Sequence, residues 1–115
     1  MNLKDFYSAA QGSYEDVMGR LLTEQRVLKY LKRIPDMPDY AEMKNAFAAG
    51  NWEIGFRTSH SIKGVALNLG LTGLGAKASA VCETVRHGAP AEDPTPLVND
   101  LCSFYDNTCA LIAQL

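Results

Sequence analysis

The sequence predicts an all-α chain whose helices run up and down against one another. Three observations predict it. Apolar residues recur three and four apart in several segments. No segment alternates apolar and polar residues for long enough to make a strand. The connections between the helical segments are short, which favours antiparallel neighbours and therefore an up-and-down bundle.

Leu3 to Ala10 reads as a short helix closed by Gly12. Ser13 opens a second that runs to Leu22, with Glu15 and Asp16 in its first turn, where acidic groups suit the helix dipole. Thr23 is placed to cap a third, through Ile34, with Val27, Leu28, Leu31 and Ile34 as its apolar positions. The run Pro35-Asp36-Met37-Pro38-Asp39 stops it. Asp39 is then the expected N-cap of a helix from Tyr40 to Ala49, and Gly50-Asn51 supplies the residues that a helix end and a tight connection prefer. A long helix is expected from Trp52 to Leu69, ended by Gly70. Thr72 starts the next, with apolar spacing from Leu74 to Val85, until His87-Gly88. The loop Ala89 to Pro94 is rich in helix breakers. The last helix, Pro96 to Ala113, takes a proline in its first turn and repeats Leu97, Leu101, Phe104 and Leu111 on one side.

A chain of 115 residues is the size of one ordinary domain, assigned here as residues 1–115. Apolar residues at 47% and charged residues at 21% indicate a packed globular protein rather than a disordered one. A net charge of −2 provides no basic field for nucleic acid. No apolar stretch approaches the roughly 18 residues needed to span a bilayer, and Met1-Asn2-Leu3-Lys4-Asp5 has no apolar signal-peptide core. The expectation is therefore a cytoplasmic protein without membrane contact. Cys82, Cys102 and Cys109 are odd in number and form no Cys-x-x-Cys pair, which argues against a disulfide framework or a zinc site. Cys102 and Cys109, seven apart, share a helix face as small buried residues.

The chemistry concentrates on the helix from Trp52 to Leu69. Wound at about 100° per residue, it gathers Ile54, Gly55, Thr58, Ser59, Ile62, Val65, Ala66 and Leu69 on a core face. Around His60, on the opposite side, lie Phe56, Arg57, Lys63, Gly64 and Leu67, a set that solubility alone would not place there. Each has a physical task if the imidazole carries a phosphoryl group. A neutral imidazole offers a nitrogen lone pair near neutral pH, so His60 is the nucleophile. Lys63, one turn later, is the first candidate for stabilising phosphoryl oxygens through charge-assisted hydrogen bonds, and Arg57, one turn earlier, is the second. Glycine at position 64 costs about 1 kcal/mol of helix propensity relative to alanine, a cost that makes sense if a side chain there would block another protein. Phe56 and Leu67 would form an apolar docking rim.

The run His60-Ser61-Ile62-Lys63-Gly64-Val65-Ala66-Leu67-Asn68-Leu69-Gly70 resembles the His-x-x-Lys-Gly segment of histidine phosphotransfer (HPt) domains in bacterial phosphorelays. The connection Ala48-Ala49-Gly50-Asn51-Trp52 and the alanine-rich helix holding Cys82 and Glu83 are similar as well, so the resemblance covers Met37 to His87, with the ends alike only in architecture. It implies an antiparallel four-helix bundle with additional short N-terminal helices. It further implies that His60 exchanges phosphate with the aspartate of a response-regulator receiver domain, with a hybrid histidine kinase as a further partner. The resemblance implies a carrier without its own ATP site or cofactor, the Mg²⁺ belonging to the receiver. Carboxylates do not cluster near His60 in the sequence, which agrees with that division.

Two other segments are set aside. Gly70-Leu71-Thr72-Gly73-Leu74-Gly75-Ala76-Lys77 lacks the Gly-Lys-Ser/Thr ending and the preceding strand of a phosphate-binding loop, and reads as a helix-to-helix turn. His87 has no ligand at metal spacing and reads as a surface residue. Three alternatives to the relay carrier stand beside it: the phosphoacceptor domain of a chemotaxis-type kinase, a module that docks receivers without phosphotransfer, and an independent enzyme with a histidine nucleophile. Missing acid/base partners near His60 count against the last.

Overall fold

Three side chains start the first three helices. Asn2, Ser13 and Thr23 each accept a hydrogen bond from the backbone N–H three residues on, at 2.8, 3.1 and 3.2 Å, caps worth about 1 kcal/mol each. In this computed structural model, which describes all residues from Met1 to Leu115, they open α1 (Leu3–Ala9), α2 (Tyr14–Leu21) and α3 (Glu24–Leu31). The third helix stops earlier than its apolar spacing suggests. Pro35 has no N–H to continue the ladder, so the chain tightens into a 3-10 turn, Ile34–Asp36, that still buries Ile34.

The remaining helices are α4 (Pro38–Ala49), α5 (Trp52–Asn68), α6 (Thr72–Thr84) and α7 (Thr95–Ile112). The start of α4 corrects the expected cap. Met37 is the N-cap, Pro38 takes the first helical position and Asp39 falls within the first turn, because a proline's fixed φ and missing N–H suit that position. Gly50 ends α4 at φ +70°, and the Asn51 side chain caps α5 by accepting from the Ile54 N–H at 3.2 Å. The buried face of α7 is also corrected. Val98, Leu101, Tyr105, Thr108 and Ile112 line it, whereas Leu97 is 40% exposed and Phe104 and Leu111 are half-buried. The true stripe advances by three and four residues from Val98, and Leu97 lies about 60° away from its centre.

The chain is all-helical, and α4 to α7 form a helical bundle. α5 packs between α4 and α6, and α6 packs on α7. The contact from α7 back to α4 is aromatic: Tyr40 stacks on Tyr105 at 3.9 Å, and the Tyr40 hydroxyl donates to Asp106 Oδ1 at 2.9 Å. The Tyr105 hydroxyl donates in turn to the Ile34 carbonyl.

The N-terminal helices join the same core. Leu3, Phe6, Tyr7, Val17, Val27 and Leu31 belong to one buried cluster with Ile62, Ala66, Leu74, Leu101 and Ile112. Burying each large apolar side chain contributes about 1.5–3 kcal/mol. The junction lies at the α5–α6 turn, where Gly70 adopts φ +67° and its carbonyl accepts from the Ser13 N–H at 2.8 Å. Beside it the buried Tyr7 hydroxyl donates to the Leu69 carbonyl at 2.6 Å, and burial raises the phenol's pKa well above its ordinary value. The far end of α5 is thereby anchored from the N-terminal side.

Candidate functional site

α5 buries Gly55, Thr58, Ser59, Ile62 and Ala66, with Ile54 and Val65 half-buried beside them. Two of these are polar, and both are satisfied within the helix: Thr58 donates to the Ile54 carbonyl and Ser59 to the Gly55 carbonyl, each at 2.7 Å. Gly55 permits the close approach of α4, since a Cβ there would lie 3.0 Å from the Phe47 ring. These contacts fix the rotation of α5, and that rotation turns His60 outward, where it is exposed.

The side chains placed around His60 by their spacing take distinct environments. Phe56, one turn earlier, is half-buried, and its ring lies nearly parallel to the imidazole, 15° between planes and 5.7 Å between centroids. Lys63 is half-buried and makes no ion pair. Gly64 is exposed, with no atom within 4 Å of where its Cβ would stand. Leu67 is 42% exposed and lies over Gly75 of α6, where a Cβ would come within 2.6 Å of it. Arg57 reaches toward α4, its Nη2 2.5 Å from Glu42 Oε1. An exposed imidazole is thus bordered by an apolar ring, an unpaired ammonium and a bare stretch of helix.

Three residues from the end of α6 complete the surroundings, and their sequence spacing to His60 gave no sign of it. Glu83 and Arg86 form a fork, with Nε to Oε2 at 2.9 Å and Nη2 to Oε1 at 2.5 Å. The Arg86 guanidinium holds the Glu83 carboxyl below its usual pKa, and Glu83 raises that of Arg86. Arg86 also lies over the Phe56 ring, 5.6 Å from its centroid. His87 is exposed and close enough to lower the Glu83 pKa slightly further, after Arg86 and Lys63. Only the Glu83–Arg86 spacing of three residues was a readable signal; the approach of that pair to Phe56 depends on how α6 lies against α5.

Behind this surface Cys82 is fully buried, and burial pushes its thiol pKa up, so it stays protonated. Cys102 and Cys109 are half-buried free thiols, less covered than their shared face suggested. Nowhere do three His, Cys, Asp or Glu side chains gather in a way that could hold a metal ion. No helix is long and apolar enough to cross a membrane.

A family model described as "Hpt domain" matches residues 35–113, a span that includes α4 to α7 and the histidine helix with its surroundings. No curated protein and no solved structure matches the chain.

Proposed function

The chain belongs to the Hpt domain family, whose members act in histidine phosphotransfer within phosphorelays, and on that premise we propose that His60 is the residue that carries the phosphoryl group. The observation that carries the proposal is the pairing of an exposed imidazole at the middle of α5 with a bare helix surface at Gly64 one turn away. A second protein can reach the ring there without displacing a side chain. Residues 1–115 are taken as one domain, because the N-terminal helices and the bundle share a core.

In the forward step an imidazole nitrogen lone pair attacks the phosphorus of a receiver aspartyl phosphate. The P–N bond forms as the aspartyl O–P bond breaks, and the aspartate carboxylate leaves. Transfer to a second receiver reverses these events on another aspartate. Lys63, unpaired and one turn from His60, is assigned to the phosphoryl oxygens, where charge-assisted hydrogen bonds are strongest. Arg57 is assigned a lesser role because Glu42 already holds it. Phe56, Gly64 and Leu67 form the surface on which the receiver docks. Mg²⁺ is assigned to the receiver, since Glu83 is committed to Arg86 and Glu42 to Arg57. The chain works as a carrier in the cytoplasm, with receivers and a hybrid kinase as partners.

The test is to mix the purified chain with phosphorylated receiver domains of the same organism and Mg²⁺, beside a His60→Gln variant. Acid-labile, base-stable label on the wild type alone is the expected result. Binding of receivers without label on the wild type would instead assign the chain a docking role.

A further inference from the structure

Phe56 is more than a rim residue: the geometry points to a relay of contacts, Glu83 to Arg86 to Phe56 to His60, in which Arg86 and Phe56 are positioning residues that hold the imidazole in its reactive orientation. The inference rests on the reading of His60 as the phosphoryl carrier.

An exposed histidine on a helix ordinarily samples several staggered rotamers on a picosecond to nanosecond timescale. His60 is instead laid against the Phe56 ring, one turn before it, in a nearly parallel offset arrangement. Phe56 is itself only half-buried, and its ring also meets a side chain from the end of α6. The Arg86 guanidinium lies against that ring at cation–π distance, and Glu83 fixes the guanidinium plane through two parallel hydrogen bonds. Arg86 follows directly on Val85, the last capping residue of α6, and Val85 is buried. The anchor therefore stands on a fixed point of the bundle.

A nucleophile presented in one orientation needs no further ordering when the receiver arrives, and preordered geometry of this kind lowers the barrier to transfer. The hydrogen bonds of Arg86 go to Glu83 and its guanidinium lies over the Phe56 ring, so its effect on the imidazole passes through that ring.

The experiment compares wild type with Arg86→Ala, Arg86→Lys, Phe56→Leu and Phe56→Tyr in the full chain. Two quantities are read: the initial rate of label transfer from one phosphorylated receiver, and the chemical shifts of the His60 ring protons, which report the ring current of Phe56. Arg86→Ala is expected to slow transfer about two- to fivefold, the factor equivalent to one exposed cation–π contact, and to move the His60 ring shifts toward those of Phe56→Leu. Arg86→Lys restores both in part, and Phe56→Tyr retains them. The inference is overturned if wild type labels normally while Arg86→Ala keeps both the wild-type rate and the wild-type ring shifts. It is also overturned if the rate falls with the ring shifts unchanged, because Arg86 would then act as a direct contact of the partner. Absence of label on wild type would overturn the underlying reading of His60 instead, so the two failures are separable.

Discussion

Two glycines on one helix should respond oppositely to the same added methyl group. Gly55 and Gly64 both sit inside α5, so alanine at either position gains about 0.8–1.0 kcal/mol of helix propensity. At Gly64 nothing lies within 4 Å of the new Cβ, and the gain stands alone. With roughly 4 °C of melting temperature per kcal/mol for a domain of this size, Gly64→Ala should melt about 3–4 °C higher than wild type. At Gly55 the Cβ lies 3.0 Å from one Phe47 ring carbon and 3.3 Å from two others. Overpacking of that kind costs about 1–3 kcal/mol, so Gly55→Ala should melt below Gly64→Ala by about 4–12 °C. Function should follow the reverse order. A receiver that reaches His60 across the bare surface meets the Gly64 substituent, and a clash of similar size slows transfer by about 5- to 150-fold. Gly64→Gln should slow it more than Gly64→Ala. Thermal unfolding by circular dichroism and initial rates of label transfer measure the two effects. If Gly64→Ala gained no stability, the open surface would be refuted. A Gly64→Gln variant transferring at the wild-type rate would refute the approach of the partner across it.

Lys63→Ala should slow phosphotransfer more than Arg57→Ala, because Lys63 is unpaired while Arg57 is held by Glu42; single-turnover rates with one receiver rank the two. Arg57→Ala should change stability by less than about 1 kcal/mol, since its ion pair is exposed. Tyr7→Phe removes the donor to the Leu69 carbonyl and leaves that carbonyl buried, a loss of about 1–3 kcal/mol in urea unfolding. Asp93 accepts from the Thr95 N–H at 3.0 Å and hydroxyl at 2.7 Å, which lowers its pKa. A lowered native pKa stabilises the start of α7 fully above the unfolded value of about 3.9, and the contribution fades as pH falls through the lower native value. The melting difference between wild type and Asp93→Ala should therefore be constant from about pH 5 to 7 and shrink below about pH 4.

Local signals were readable wherever one residue controls its own surroundings. Ser13 and Thr23 cap as expected because the side chain and the N–H it satisfies are three residues apart. Gly50 and Gly70 mark helix ends because each requires a positive φ. Where two signals competed, the reading slipped by a few residues. Pro38 displaced Asp39 as the start of α4, and Pro35 cut α3 short of Ile34. On α7 Leu101 is buried as expected, but Val98, Tyr105 and Thr108 share its face in place of Leu97, Phe104 and Leu111. A rotation of about 60° there depends on what α4 and α6 present, most directly on the stacking of Tyr40 against Tyr105.

The same division runs through the candidate site. By itself the sequence determined the all-helical class, the long helix and the one-sided grouping of Phe56, Arg57, His60, Lys63, Gly64 and Leu67, since all of these follow from the fixed angle between successive residues on a helix. Only the tertiary structure decided what that surface meets. It committed Arg57 to Glu42 on α4, left Lys63 free, laid Leu67 over Gly75, and brought the Glu83–Arg86 pair against Phe56. Those contacts join residues on different helices, and their geometry is set by how buried side chains interlock across the α4–α5 and α5–α6 interfaces, which no periodicity along the chain encodes.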